Sequence, residues 1–143
     1  MNTKVLLAAL AAALVSFLLG WVIWDMCGMM NYYSHNMTPG YNALMKQKEH
    51  MKMMGMIISN LAWGLLIAWS LWKMGVASAM DGLLPGLIIG VLVAITMDMF
   101  FYSMMNMYAN KRIVMIDVAM SGVTNAILGA VAGFVLGRRK PAA

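Results

Sequence analysis

The chain is short of what soluble enzymes are built from. Charged residues make up only 10% of it, there is one cysteine (Cys27), and there are two histidines (His35 and His50). A lone cysteine excludes an intramolecular disulfide. No CxxC, HExxH or GxGxxG occurs, and neither does a P-loop or a Gly-x-Ser-x-Gly elbow, so zinc-protease, nucleotide and serine-hydrolase readings lack their starting material. With no nucleophile–base pair and no dedicated metal-ligand spacing in view, no enzyme is expected. What fills the space is apolar. Hydrophobic residues account for 63% of the sequence and the mean hydropathy is +0.79, which excludes an ordinary soluble domain.

Four long apolar runs carry the chain: about 5–27, 53–72, 83–107 and 113–136. They predict an all-α integral membrane protein, a single transmembrane domain over 1–143 made of four antiparallel helices. Four spans put both termini on one side, here side A. Side B carries the long first loop, about 28–52, and the tight turn Tyr108-Ala109-Asn110-Lys111-Arg112. The A-side connection passes through Gly75, Asp81 and Gly82, with Pro85 placed at the start of the third helix, where a missing N–H is tolerated. The first span is not read as a cleaved signal peptide. Lys4 and Ala11-Ala12-Ala13 suit one, but the apolar run continues through Leu18, Trp21 and Ile23, beyond the roughly 7–15 residues of a signal core.

Lys and Arg divide equally between the two sides: Lys4, Lys73, Arg138, Arg139 and Lys140 on A, Lys46, Lys48, Lys52, Lys111 and Arg112 on B. The compact Arg138-Arg139-Lys140 cluster, with Lys4, favours A as cytoplasmic, in an inner (cytoplasmic) membrane. The net charge of +5 flanks the spans, where it meets lipid headgroups and not nucleic acid. Trp21, Trp24, Tyr32 and Tyr33 at the B end of span one, and Trp69 and Trp72 at the A end of span two, suit aromatic belts.

The two halves of the chain read alike. Trp24-Asp25-Met26 with Met29-Met30-Asn31 after it parallels Met97-Asp98-Met99 with Met104-Met105-Asn106 after it. Ser59-Asn60-x-x-x-Gly64 parallels Thr124-Asn125-x-x-x-Gly129. A duplicated two-helix hairpin is expected, one repeat over about 1–74 and the other over about 80–140, related by an axis along the membrane normal.

Intervals of four residues place small and polar residues on single faces. Span four reads Asp117, Ser121, Asn125, Gly129, Gly133, Gly137; span three reads Gly82, Gly86, Gly90, Ala94, Asp98, Tyr102, Asn106. The glycines predict close helix packing. An aspartate facing hydrocarbon costs about 2.5–3.5 kcal/mol at the bilayer centre, so Asp98 should face inward, with Asn60 and Asn125 as its expected hydrogen-bond donors. Asp25 and Asp117 lie nearer the B-side boundary, where interfacial water is within reach and Asp117 sits near a helix N-terminus.

Sixteen of the nineteen methionines also fall on side B. Thioethers with Cys and His suit Cu(I), and the candidates are Met26, Cys27, Met30, His35, His50, Met53, Met54 and Met56. Ordinary packing explains a methionine stripe equally well.

Asn2 to Ala9 (Asn-Thr-Lys-Val-Leu-Leu-Ala-Ala) and Phe17 to Trp21 (Phe-Leu-Leu-Gly-Trp) resemble small bacterial four-span membrane proteins of unknown function, as does the stretch Ser59 to Gly64 together with Ile127 to Ala130. The resemblance implies a fold and no activity. The residues are compatible with three roles: a structural or accessory subunit in a homo-oligomer or larger membrane complex; a transporter or channel for a proton, cation or small solute using the intramembrane Asp and Asn residues; or soft-metal handling at side B.

Overall fold

The computed structural model describes residues 3–46 and 50–138; Asn2, Lys48, Arg139 and Lys140 lie outside the described residues. Six helices succeed one another: α1 (Thr3–Trp21), α2 (Met29–Asn36), α3 (Pro39–Leu44), α4 (Met53–Lys73), α5 (Ala79–Met104) and α6 (Lys111–Gly137). The chain continues from α1 through a π-turn, Val22–Met26. Four segments are long and apolar enough to cross a bilayer, namely Thr3–Met26, Met53–Lys73, Ala79–Met104 and Lys111–Gly137. The chain is an all-α integral membrane protein of four spans, as the apolar runs predict.

Three local features differ from that expectation. The third helix starts at Ala79, earlier than expected, because Ser78 caps it: its Oγ accepts from the Asp81 N–H (3.1 Å) and donates to the Asp81 carboxylate (2.7 Å). Pro85 therefore lies inside the helix, not at its first turn. The third helix ends at Met104 and the fourth begins at Lys111, so the turn lies earlier in the chain than expected, over 105–110; Asn110 caps the fourth helix by accepting from the Arg112 N–H. The first B-side loop, in turn, contains α2 and α3. Gly28 makes the break with φ 71°, a left-handed conformation that glycine adopts without a Cβ penalty, and Thr38-Pro39 supplies the cap and first residue of α3.

Small residues set the packing. α1 packs on α4 and α6, while α5 packs on α6 along its length and meets α4 only at an edge. The A-side half of the bundle is an apolar core of Val5, Ala8, Ala9, Ala12, Ile67, Ala68, Leu71, Ala132 and Leu136. Lys4 Nζ donates to the Arg138 carbonyl (2.7 Å), tying the first span to the end of the last. The glycine faces of α5 and α6 lie directly against each other. A methyl group at Gly86 would sit 2.9 Å from Gly129 Cα and closer still to the Asn125 carbonyl oxygen; one at Gly82 would meet the Gly129 carbonyl.

Gly86→Ala should therefore destabilise the bundle by about 1–3 kcal/mol through overpacking against rigid backbone. Gly122→Ala, where the added methyl meets only the Val91 Cγ2 tip, should cost less. Unfolding of both variants in mixed micelles checks the order, and equal losses would show that backbone approach is not the limiting contact.

Candidate functional site

The α5 and α6 stripes run antiparallel, and each step of one meets a step of the other. Gly86 lies against Asn125 and Gly129, and Gly90 against Ser121 and Asn125, with the Ser121 hydroxyl donating to the Gly90 carbonyl (3.1 Å). Continued toward side B, this register brings Asp98 of α5 and Asp117 of α6 within hydrogen-bonding reach of one another. Asp98 is 6% exposed, a depth at which an ionisable group needs partners.

Tyrosines supply those partners from outside the spans. The Tyr108 hydroxyl, in the α5–α6 turn, donates to Asp98 Oδ1 (3.0 Å), and the Tyr33 hydroxyl, from α2, donates to Asp117 Oδ1. Asp98 Oδ2 is buried and has no hydrogen-bond partner. Buried polar atoms are almost always paired, so this oxygen marks the site. Tyr33 is itself buried, with the Trp24 ring edge-on at 4.7 Å between centroids, and it packs with Met37, Ile113 and Val114 into a cluster that Met29, Tyr41 and Tyr108 border.

The segment of α2 and α3 thus forms a lid. Backbone pairing of Met37 with Tyr108 fastens it to the α5–α6 turn, helped by Thr38 N–H to the Met107 carbonyl (2.9 Å), Thr38 Oγ1 to the Asn106 carbonyl (2.8 Å) and Ala109 N–H to the Asn36 carbonyl (3.2 Å). Asn42 Nδ2 donates to the Ser34 carbonyl (2.7 Å), bracing α3 against α2. Lid and turn together close the carboxyl pair from side B.

The chain matches no family model, no curated protein and no solved structure.

Of the residues expected to form an intramembrane polar site, Asp98 and Asp117 come together. Neither Asn60 nor Asn125 donates to Asp98. Asn125 lies two turns further along α6, where its Oδ1 accepts from Trp63 Nε1 (2.7 Å) and its Nδ2 donates to the Ser121 carbonyl (2.9 Å); Asn60 Nδ2 donates to the Met56 carbonyl of its own helix (2.8 Å). Asp25 is exposed within the π-turn at the end of the first span. The soft-ligand candidates lie mostly on the surface. Met26, Met53, Met54 and Met56 are exposed, as are Cys27, His35 and His50, while Met30 is half-buried. The His35 Nδ1 is engaged with the Asn31 carbonyl (2.7 Å), and among the described residues no three His, Cys, Asp or Glu side chains gather as a metal would require.

Sequence reasoning misses Tyr33, Tyr41, Tyr108 and Trp63 as site residues. Tyr33 reads as part of an aromatic belt; nothing in hydropathy says that its hydroxyl turns inward. Asp98 and Asp117 do carry a signal, since they lie symmetrically about Met107 and Tyr108, as two residues facing each other across a hairpin must.

Burial, and then the bond to Asp117, push the Tyr33 phenol above its ordinary range; burial and the bond to Asp98 do the same to Tyr108; burial and the Asp117 charge raise Tyr41. All three should remain phenols past the ordinary tyrosine pKa of about 10. The unfolded chain would release those protons where the folded chain keeps them, so stability from this source is full below pH about 10 and falls as pH rises further. An absorbance titration checks this, since Asp117→Asn should let Tyr33 ionise at lower pH. Five tyrosines titrating together at the ordinary value would contradict the buried cluster.

Proposed function

We propose that this protein binds and transfers protons in the membrane, with Asp98 and Asp117 as the carrier pair. The observation that carries the reading is Asp98 Oδ2, buried, unpartnered and beside a second carboxyl group. Two carboxylates this close in a medium of low dielectric repel strongly, and a proton held between them removes the repulsion and satisfies the orphan oxygen together. The tyrosines complement that arrangement. Held as phenols, Tyr33 and Tyr108 donate to Asp117 Oδ1 and Asp98 Oδ1, which leaves the second oxygen of each carboxyl group for the shared proton.

Release of the proton leaves two negative charges beneath the lid, which strengthens the pull on both hydroxyls and favours water entry from side B. Uptake restores the neutralised pair. Opening and closing of the lid formed by α2 and α3 is therefore the step that connects the pair to bulk water. In our reading the chain lies in a cytoplasmic membrane with both termini inside, supported by the basic cluster that begins at Arg138, so that side B and the lid face outward. Exchange with a small monovalent cation is the nearest variant of the same chemistry, because a carboxyl pair with neutral hydroxyls also suits a bare cation. The copper reading has no comparable support: its candidate ligands lie mainly at the surface. The accessory-subunit reading draws on the glycine stripes, and those of α5 and α6 are occupied within the chain, against each other.

Asp98→Asn is the informative variant, since its amide can donate to Asp117 and preserve the packing while removing the exchangeable proton. In proteoliposomes carrying a pH-sensitive dye, proton flux should fall to that of empty vesicles, and infrared difference spectra should lose a protonated-carboxyl band. Undiminished flux from a folded Asp98→Asn protein would rule out the carboxyl pair as carrier, and flux of sodium or potassium in its place would convert the reading to cation transfer.

A further inference from the structure

A second polar site lies on the opposite flank, between α1 and α4, where a groove of about 390 Å³ opens toward lipid and is lined by Ser16, Ser59, Asn60, Ala62, Trp63 and Leu66. Its polar groups are incompletely matched. Asn60 uses one amide N–H on the Met56 carbonyl, and no bond involves its Oδ1 among the described residues; the same holds for the hydroxyls of Ser16 and Ser59. Elsewhere in the bundle, Thr96 and Ser103 satisfy their hydroxyls on the carbonyl four residues earlier. Hydroxyl and amide groups facing hydrocarbon without partners are costly, and interhelical hydrogen bonding is the usual remedy.

A second observation concerns the glycines. Those within the spans at positions 64, 82, 86, 90, 122, 129, 133 and 137 each lie against a neighbouring segment, whereas a Cβ at Gly20 or Gly55 would meet nothing within 4 Å. Glycine inside a helix costs about 1 kcal/mol relative to alanine unless close approach requires it. Gly20 lies one turn beyond Ser16 toward side B, and Gly55 one turn before Ser59 on the same side, so helical periodicity aligns both with the groove. Gly55, Ser59, Ala62 and Leu66 make a single outward line on α4.

We infer that this face is the contact by which two copies of the chain associate in the membrane. Smooth-backed helix segments at Gly20 and Gly55 flank the groove, and each copy can lay α4 along the small residues of the other. Its chemistry is self-complementary: the groove carries no formal charge, and its hydroxyls and amide both donate and accept, so identical faces satisfy one another across a two-fold axis. This inference is independent of the proton-carrier reading, which concerns α5 and α6.

The test uses full-length protein in native membranes and in lipid nanodiscs. In a Cys27→Ser background, Ser59→Cys should cross-link to a species of twice the chain mass on mild oxidation, whereas Val123→Cys, on the lipid-facing side of α6, should not. Gly55→Leu together with Asn60→Leu should weaken dimer formation by about tenfold or more, with helix content unchanged by circular dichroism. A monomer at every protein-to-lipid ratio overturns the inference. So does cross-linking through Val123→Cys in place of Ser59→Cys, or capture of a different protein by Ser59→Cys. If the double variant fails to fold, the cross-linking pattern of the single cysteine variants still decides.

Discussion

Close approach of the α5 and α6 backbones is the constraint from which the rest of the structure descends. Lipid offers no hydrophobic drive for helices to pair, so association rests on van der Waals contact and interhelical polar bonds. Glycines at 82, 86 and 129 let the two backbones touch over the A-side half, and that contact fixes the antiparallel register. Once the register is set, Asp98 and Asp117 have no freedom to avoid each other. A pair of carboxyls at this depth demands donors, and the neighbouring spans offer none. They come instead from the turn, as Tyr108, and from α2, as Tyr33.

That demand explains the shape of side B. A loop joining two spans can be short, as the A-side connection is, yet the first B-side connection builds two helices and fastens them onto the α5–α6 turn. The contact buries Tyr33 and Met37 with Ile113 and Val114, so the donor to Asp117 is held by apolar packing as well as by its own bond. Such a lid is stable when closed and depends on a modest number of backbone bonds, the kind of element that opens locally without unfolding the spans.

Hydropathy makes the four spans legible, because a bilayer accepts few other structures. The four-residue stripes also read correctly as packing faces. Partner assignment goes astray at Asp98: repeated motifs point to Asn60 and Asn125, and motif likeness says nothing of register between helices. Distance from the hairpin turn does, and it pairs Asp98 with Asp117. Tyr33 is out of reach of the sequence, since its position depends on how Gly28 and the π-turn redirect the chain after the first span. Pro85 misleads for a related reason. A proline suggests a helix start, yet the stronger signal is Ser78 with Asp81 three residues later.

Asp25 and Asp98 show how far local sequence can be overridden by connection length. Each sits between an apolar residue and a methionine near the B end of its span, yet Asp98 is buried against α6 while Asp25 is exposed. The difference lies in how the two hairpins close. α5 and α6 join through a tight turn that keeps their stripes in contact up to the carboxyls. α1 and α4 are joined by a long connection that includes α2 and α3, and the π-turn that contains Asp25 adds a residue to the helical repeat at the end of the first span. A short connection extends helix contact to the membrane surface and buries its aspartate; a long one releases the helix ends and frees the intervening chain to cover its neighbour. The second hairpin thus supplies the carboxyls and the first supplies the lid, a division that stems from connection length more than from the motifs they share.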